Sequence, residues 1–154
     1  MNSKWLVFGF FSVCVLSVYA SKVNFRDCKS KTGRIVNVDV TPCPGAPIGC
    51  KLVKGTTPKI TITFKPSVNS VNATSVVHGV VSGVAVPFPL PNPNACHESG
   101  INCPIEADKA YAYEAMLPVK QVYPTLSVII QWQIKDQNNQ DMVCMQMRAK
   151  IVDP

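Results

Sequence analysis

Val84-Ala85-Val86-Pro87-Phe88-Pro89-Leu90-Pro91-Asn92-Pro93 is the stretch on which the reading of this chain turns. Its prolines fall at every second residue, so in an extended backbone the missing N–H groups all lie on one side. That side cannot join a sheet, whereas Phe88 and Leu90 keep N–H groups free to pair with one neighbouring strand. Their side chains also project together toward one face. The pattern predicts a stiff sheet edge that holds a large aromatic over apolar material, either a packed core or a cavity. A cysteine loop follows, from Cys96 to Cys103.

Outward from this edge, apolar side chains recur with a period of two. They do so at Val36, Val38 and Val40, at Ile60, Ile62 and Phe64, at Leu126, Val128, Ile130, Trp132 and Ile134, and at Val143, Met145, Met147, Ala149 and Ile151. Such alternation marks strands with one buried face. Turn chemistry separates them at Pro42-Cys43-Pro44-Gly45, Lys65-Pro66-Ser67 and Asp136-Gln137-Asn138-Asn139. Further strands are predicted over Val23 to Cys28, Val76 to Val86 and Ala110 to Met116, for a total of about seven. No stretch carries a sustained helical repeat. This describes one all-β domain, an immunoglobulin-like antiparallel β-sandwich, with a closed barrel of the lipocalin type as the alternative.

The first twenty residues have the layout of a secretory signal peptide: Lys4, then the apolar run Trp5 to Val18, then Val18-Tyr19-Ala20. The run is shorter than the ~20 residues of a spanning helix, and Ser12 and Ser17 interrupt it. Cleavage after Ala20 is expected, leaving residues 21–154 as the working domain. Cys14 leaves with the leader, and six cysteines stay. An even number in an exported chain implies disulfides. Local pairing gives Cys43–Cys50 and Cys96–Cys103, with Cys28–Cys144 joining the two that stand near the ends. A zinc site using Cys96, His97 and Cys103 is the competing reading, but no close cysteine pair supports it. No metal and no cofactor is expected.

Lys4 is the only charge in the leader, so its removal takes the formal charge from +6 to +5. Lys22, Arg26, Lys29, Lys31 and Arg34 crowd the early part of the domain. No recognition motif or interleaved aromatics accompany them, which argues against nucleic acid. A solvated face or transient contact with an anionic membrane surface fits better.

Catalytic chemistry is hard to assemble. His78 lies in a valine-rich strand and is expected as a hydrogen-bonded structural residue. His97 stands beside Glu98 in the cysteine loop, as a solvated pair. Neither Ser82-Gly83 nor Ser99-Gly100 belongs to a nucleophile elbow, the carboxylates are scattered, and no phosphate-binding glycine loop exists. The residues point away from an enzyme. What they offer is apolar capacity. Gly79, Gly83, Ala85, Ala110, Ala112 and Ala115 are expected to face inward, with Phe88, Tyr123 and Trp132 toward the ends, which would leave a slot between the sheets. Leu117-Pro118-Val119 and Val122-Tyr123-Pro124 would stiffen its mouth.

Several motifs together resemble the soluble Niemann-Pick type C-two (epididymal secretory) proteins of the lipid-recognition, or ML, family. They are Val77-His78-Gly79, Val86-Pro87-Phe88-Pro89-Leu90-Pro91, Ser99-Gly100-Ile101-Asn102-Cys103-Pro104-Ile105, Leu117-Pro118-Val119-Lys120, Tyr123-Pro124, Pro42-Cys43-Pro44, Cys50-Lys51-Leu52-Val53-Lys54-Gly55 and Trp132-Gln133. The resemblance runs from Cys28 to Ile151. It implies an immunoglobulin-like sandwich with a lipid slot and the same three disulfides. It also implies that Phe88, Val119 and Tyr123 contact the ligand at the mouth, and that Leu52, Ile60, Val77, Val86, Pro118 and Trp132 form the walls.

The implied function is a lipid-binding and transfer protein, secreted or lysosomal, that carries a sterol or long-chain fatty acid as a monomer. It would pass that cargo to a membrane, a membrane sterol transporter or a receptor. An extracellular carrier of fatty acids or semiochemicals, or a lipid-sensing module that presents its ligand to a receptor, is the alternative. Two positions depart from the family pattern: Met145 stands where a tryptophan commonly follows the last cysteine, and Pro58 where an aromatic is frequent. Asn72-Ala73-Thr74 is the only glycosylation sequon.

Overall fold

The computed structural model describes residues 20–154 together with Ser12 and Cys14. The leader expected over residues 1–20 therefore falls outside the described residues, apart from Ser12, Cys14 and Ala20. No helix among the described residues is long and apolar enough to cross a membrane.

Among the described residues, ten strands form two sheets. In chain order they are β1 (Ser21–Lys22), β2 (Phe25–Asp27), β3 (Gly33–Thr41), β4 (Cys50–Val53), β5 (Lys59–Pro66), β6 (Thr74–Val81), β7 (Val84–Phe88), β8 (Tyr111–Met116), β9 (Ser127–Lys135) and β10 (Asp141–Val152). One sheet has the order β1-β3-β5-β8. The other has the order β2-β10-β9-β6-β7, with β4 also on β10. Both sheets keep free edges, so the fold is the immunoglobulin-like sandwich and not a closed barrel. Every pairing is antiparallel except β4 with β10. The long strand β10 accommodates two short partners along one edge, β2 at Met145 to Met147 and β4 at Ala149 to Val152.

The alternation read from the sequence holds in β5 and β9. Ile60, Ile62, Phe64, Val128, Ile130, Trp132 and Ile134 are all buried, and the residues between them are half-exposed. It breaks in β3. The register shifts between Ile35 and Asn37, so Val36 is an extra, unpaired residue that turns to solvent and is 51% exposed. Val38 and Val40 beyond it face the core. A β-bulge has this effect because one inserted residue swaps the faces of its neighbours. β10 carries a second register shift between Asp141 and Val143, and there Met142 and Val143 are both buried.

The single strand expected over Val76 to Val86 is a hairpin, β6 turning into β7. Ser82 and Gly83 both have positive φ, 48° and 81°. A two-residue turn whose central residues are both left-handed matches the right-handed twist of the flanking strands. The short β1 and β4 account for the other two strands beyond the expected seven, and β2 lies within the strand expected over Val23 to Cys28. β7 pairs only with β6, as the prolines require, and the chain leaves the ladder after Phe88. From there Pro89 to Pro93 runs as a strap, returning to the sheet where the Ser75 N–H donates to the Pro93 carbonyl at 2.8 Å.

The disulfides are Cys28–Cys144, Cys43–Cys50 and Cys96–Cys103. Pairing of Cys96 with Cys103 removes the thiolates that a zinc site would need. His78 departs from its expected role: its Nδ1 is buried without a hydrogen-bond partner. Its cross-strand neighbours are Pro87, which has no N–H, and Gln131.

Cys28–Cys144 spans 116 residues and the two local bridges span 7 each. The chain-entropy model then assigns about 5 kcal/mol to the first and about 2.4 kcal/mol to each of the others. Denaturant unfolding of Cys28→Ser/Cys144→Ser should accordingly show roughly twice the loss of Cys43→Ser/Cys50→Ser. Equal losses would contradict a dominant terminal bridge.

Candidate functional site

An apolar slot of about 470 Å³ opens on the inner face of the β2-β10-β9-β6-β7 sheet, where the segment after β8, and no strand of the other sheet, covers it. One wall comes from the inner faces of β6, β7, β9 and β10: Gly79 and Val81, Val86 and Phe88, Val128 and Ile130, and Ile151, with Leu52 of β4 beside it. The opposite wall is the segment after β8, through Val119, Val122, Tyr123, Pro124 and Leu126. Lys120 is the only charged residue on the lining.

Strand register explains why the space is there. The pairs Gly79↔Val86 and Gly79↔Ile130 make one rung across β7, β6 and β9. The next rung is Phe88–Val77–Trp132, which is filled with large side chains. Protein interiors pack at near-crystalline density, and Gly79 removes the central side chain where that density would otherwise be reached. A Cβ built on Gly79 would lie 3.2 Å from Val128 Cγ2, so the glycine also lets Val128 approach the sheet closely. Of the small residues expected to face inward, Gly79 is the one that creates the gap. Ala115 is half-buried, and Gly83, Ala85, Ala110 and Ala112 face solvent. Gly83 lies in the hairpin turn and Ala85 on the outer face of β7. Ala112 is out of phase with the buried Tyr111 and Tyr113.

The slot collects Phe88, Val119, Tyr123, Leu52 and Val86 from among the expected contacts. Ile60, Val77 and Trp132 are instead buried in the packed core behind it, and Pro118 does not reach the lining, because alternation turns it away from Leu117 and Val119. Sequence reasoning missed Val81, Leu126, Val128, Ile130 and Ile151 as lining residues. Their signal was available in the two-residue period, but nothing in the period says at which rung packing stops.

Phe88 and Tyr123 meet across the mouth with ring centroids 5.4 Å apart and planes tilted at 54°. Such aromatic contacts hold shape with few rotamers to lose. Val84, Val86 and Val122 are 63, 51 and 85% exposed around this opening, a cluster of bare apolar side chains that a monomer seldom leaves without a use. Loss of hydration raises the Tyr123 phenol above its ordinary value, and Tyr123 and Lys120 both line the slot. The mouth is therefore apolar with one cation and one hydroxyl. No group of three His, Cys, Asp or Glu residues that could hold a metal stands together among the described residues. His97 Nε2 and the Glu98 carboxylate lie 3.7 Å apart, both exposed to solvent. Asp136, the most buried carboxylate, accepts from the Asn138 and Gln140 N–H groups and from Thr32, which fixes the β9–β10 turn.

Comparison with known proteins converges. The family described as ML domain matches residues 22–151. The chain is 42% identical over 137 residues to the NPC intracellular cholesterol transporter 2 of Mus musculus, covering 89% of this chain and 90% of that one. It is 39% identical over 146 residues to the Drosophila melanogaster protein named NPC intracellular cholesterol transporter 2 homolog a, covering 95% and 99%. Among solved structures, a Niemann-Pick type C2 protein from Japanese carpenter ant superposes with a TM-score of 0.79 at 29% identity, covering 84% of this chain and 99% of that one.

Filling the floor of the slot tests its accessibility. Gly79→Leu should reduce uptake of an apolar fluorescent dye by about tenfold or more, equivalent to ~1.4 kcal/mol, while the far-ultraviolet strand signal is retained. Gly79→Ala has only the Val128 methyl to displace and should keep most of the uptake. Unchanged dye binding by Gly79→Leu would put the dye elsewhere.

Proposed function

The chain belongs to the ML-domain family, and from that premise we propose that it binds a sterol or a long-chain fatty acid in the slot and transfers it between membranes. The observation that carries this reading is the slot itself, apolar throughout except for Lys120 and the Tyr123 hydroxyl at its mouth. A ligand that removes roughly 400 Å² of apolar surface from water gains about 10 kcal/mol before ordering costs. No buried charge is needed for tight binding. The polar head stays at the mouth, where Lys120 suits a carboxylate and the Tyr123 hydroxyl suits a sterol alcohol.

In this proposal Phe88, Tyr123 and Val119 grip the ligand at the opening, and Leu52 and Val86 line its path. Ile60, Val77, Pro118 and Trp132 support the walls from behind. The ligand is carried without covalent change. Val84, Val86 and Val122 touch the membrane during transfer. Lys22, Arg26, Lys29, Lys31 and Arg34, all exposed and outside every ion pair found among the described residues, add attraction to anionic lipid. The disulfides and the leader pattern support an exported protein that works in extracellular fluid or in the lysosomal lumen. Asn72, exposed just before β6, would then carry an N-linked glycan.

Displacement of a fluorescent lipid by cholesterol and by oleate checks the central claim, and failure of every lipid to displace it from folded protein would sink the carrier. Phe88→Ala and Tyr123→Ser should each weaken displacement by roughly tenfold, ~1.4 kcal/mol, with little change in Tm because both side chains are only half-buried. If both variants unfold instead, the pair belongs to the core and not to a gate. For membrane contact, transfer from anionic vesicles should slow as salt rises from low to physiological ionic strength, since surface attraction is screened over about 8–10 Å. Salt-independent transfer would remove the basic residues from the process.

A further inference from the structure

The outer face of the β2-β10-β9-β6-β7 sheet carries a row of cations that its own carboxylates leave uncompensated. Arg26 stands opposite Gln146 across β2 and β10, and Lys51 opposite Lys150 across β4 and β10. Side chains two apart on a strand share a face, so Arg26, Arg148, Lys150 and Lys51 lie on one surface, roughly 13 Å long along β10. All four are exposed, and none belongs to an ion pair found among the described residues. The carboxylates of this sheet are engaged elsewhere. Asp27 accepts from the Lys29 and Ser30 N–H groups, Asp141 pairs with Lys135 and Asp153 with Lys54. The other sheet is balanced, with Lys22 opposite Asp39 and Lys59 3.8 Å from Glu114. Like charges directly opposite each other, as at Lys51 and Lys150, disfavour folding. A local rule broken in this way points to a use for the surface.

Strand order hollows one end of the row. β2 covers the edge of β10 as far as Met147, and β4 takes over at Ala149. Arg148 falls between them, at a cleft of about 440 Å³. Arg26 and Arg148 line this cleft with the amides of Asn24 and Gln146, and Phe25 and Ile48 give it apolar surface. No carboxylate stands among its lining residues. Gln146 Nε2 donates to Gln131 Oε1 at 2.8 Å, which leaves the Gln146 amide oxygen free to accept.

We propose that this face binds a linear sulfated polysaccharide, with one sulfate taken by Arg26 and Arg148 at the cleft and the following ones lying over Lys150 and Lys51. The inference goes beyond the carrier reading and does not rest on it. Guanidinium groups are always charged and bond oxyanions through a planar fork, whereas the lysines act as point charges. A single small anion engages the arginine pair alone. A chain with repeated anions meets the whole row. A flat lipid surface would touch Lys150 and Lys51 without entering the cleft. An acidic peptide would answer the charges, but the Asn24 and Gln146 amides beside apolar surface suit neutral hydroxyls and the C–H face of a sugar ring.

Heparin is the probe. Wild-type protein should bind it at physiological ionic strength, and Arg148→Gln/Lys150→Gln should bind it about tenfold more weakly, the size expected for two exposed charge contacts. Lys29→Gln/Lys31→Gln removes the same net charge away from the row and should weaken binding less than about threefold, since salt screens distant charges. Desulfated heparin should not compete. Displacement of a fluorescent lipid by cholesterol and by oleate should be the same for Arg148→Gln/Lys150→Gln as for wild type, which separates this face from the slot. Lys51→Gln/Lys150→Gln relieves the like-charge pair and supplies the same readout should the first variant fail to fold. Absence of heparin binding by wild type, or equal losses in the on-row and off-row variants, overturns the polysaccharide site and leaves the carrier standing. So does an equal loss, in Arg148→Gln/Lys150→Gln, of binding to polyglutamate or to phosphatidylserine vesicles.

Discussion

A missing side chain is what the rest of this architecture depends on. Two sheets with alternating apolar faces close on each other because burial is favourable at every rung, and without an interruption they would close completely. Gly79 interrupts them at the centre of a three-strand rung, between Val86 and Ile130. The next rung, with Phe88, Val77 and Trp132, is packed solid. The boundary between slot and core is thus one strand residue wide. It also explains why core-like residues such as Val128, Ile130 and Ile151 can line a cavity and still stabilise the sandwich.

The proline-rich edge is the complementary constraint. A sheet that ends in a free strand invites a further strand, and proline at the exposed N–H positions prevents that. In this chain the same prolines do more than protect the edge. They end β7 at Phe88 and send the backbone across the open side as a strap tied back through Ser75 and Pro93. Phe88 is consequently held at the last rung of the ladder, against Tyr123 from the other side. An edge that resists pairing becomes a rim of fixed position.

Much of this was legible in the residues. Period-two alternation identified the central strands, cysteine spacing identified the three bridges, and alternating prolines identified an edge with a poised aromatic. What escaped was local. The bulge at Val36 is invisible to a pattern that assumes unbroken register, since the sequence alternates perfectly through it. The Ser82-Gly83 turn was hidden because valines run on both sides and make two short strands look like one. The small residues misled because an alanine on a solvent face and a glycine on a core face look alike until phase is known, and the hairpin and the flanking strands set that phase. For the site, five of the nine expected contacts line the slot. The other four lie behind it or turn away, because resemblance transfers positions and not the depth to which a side chain reaches.

The long disulfide has a meaning beyond its effect on folding. Cys28 and Cys144 close nearly the whole domain into a covalent ring, with β10 running on past the bridge between β9 and β4. A single peptide cut anywhere between these cysteines cannot release a fragment, since both pieces stay joined through the bridge and through the sheet ladders. A cut inside either small loop is contained a second time, by Cys43–Cys50 or Cys96–Cys103. A cut in the proline strap or in the cysteine loop therefore leaves the two parts of the domain covalently joined.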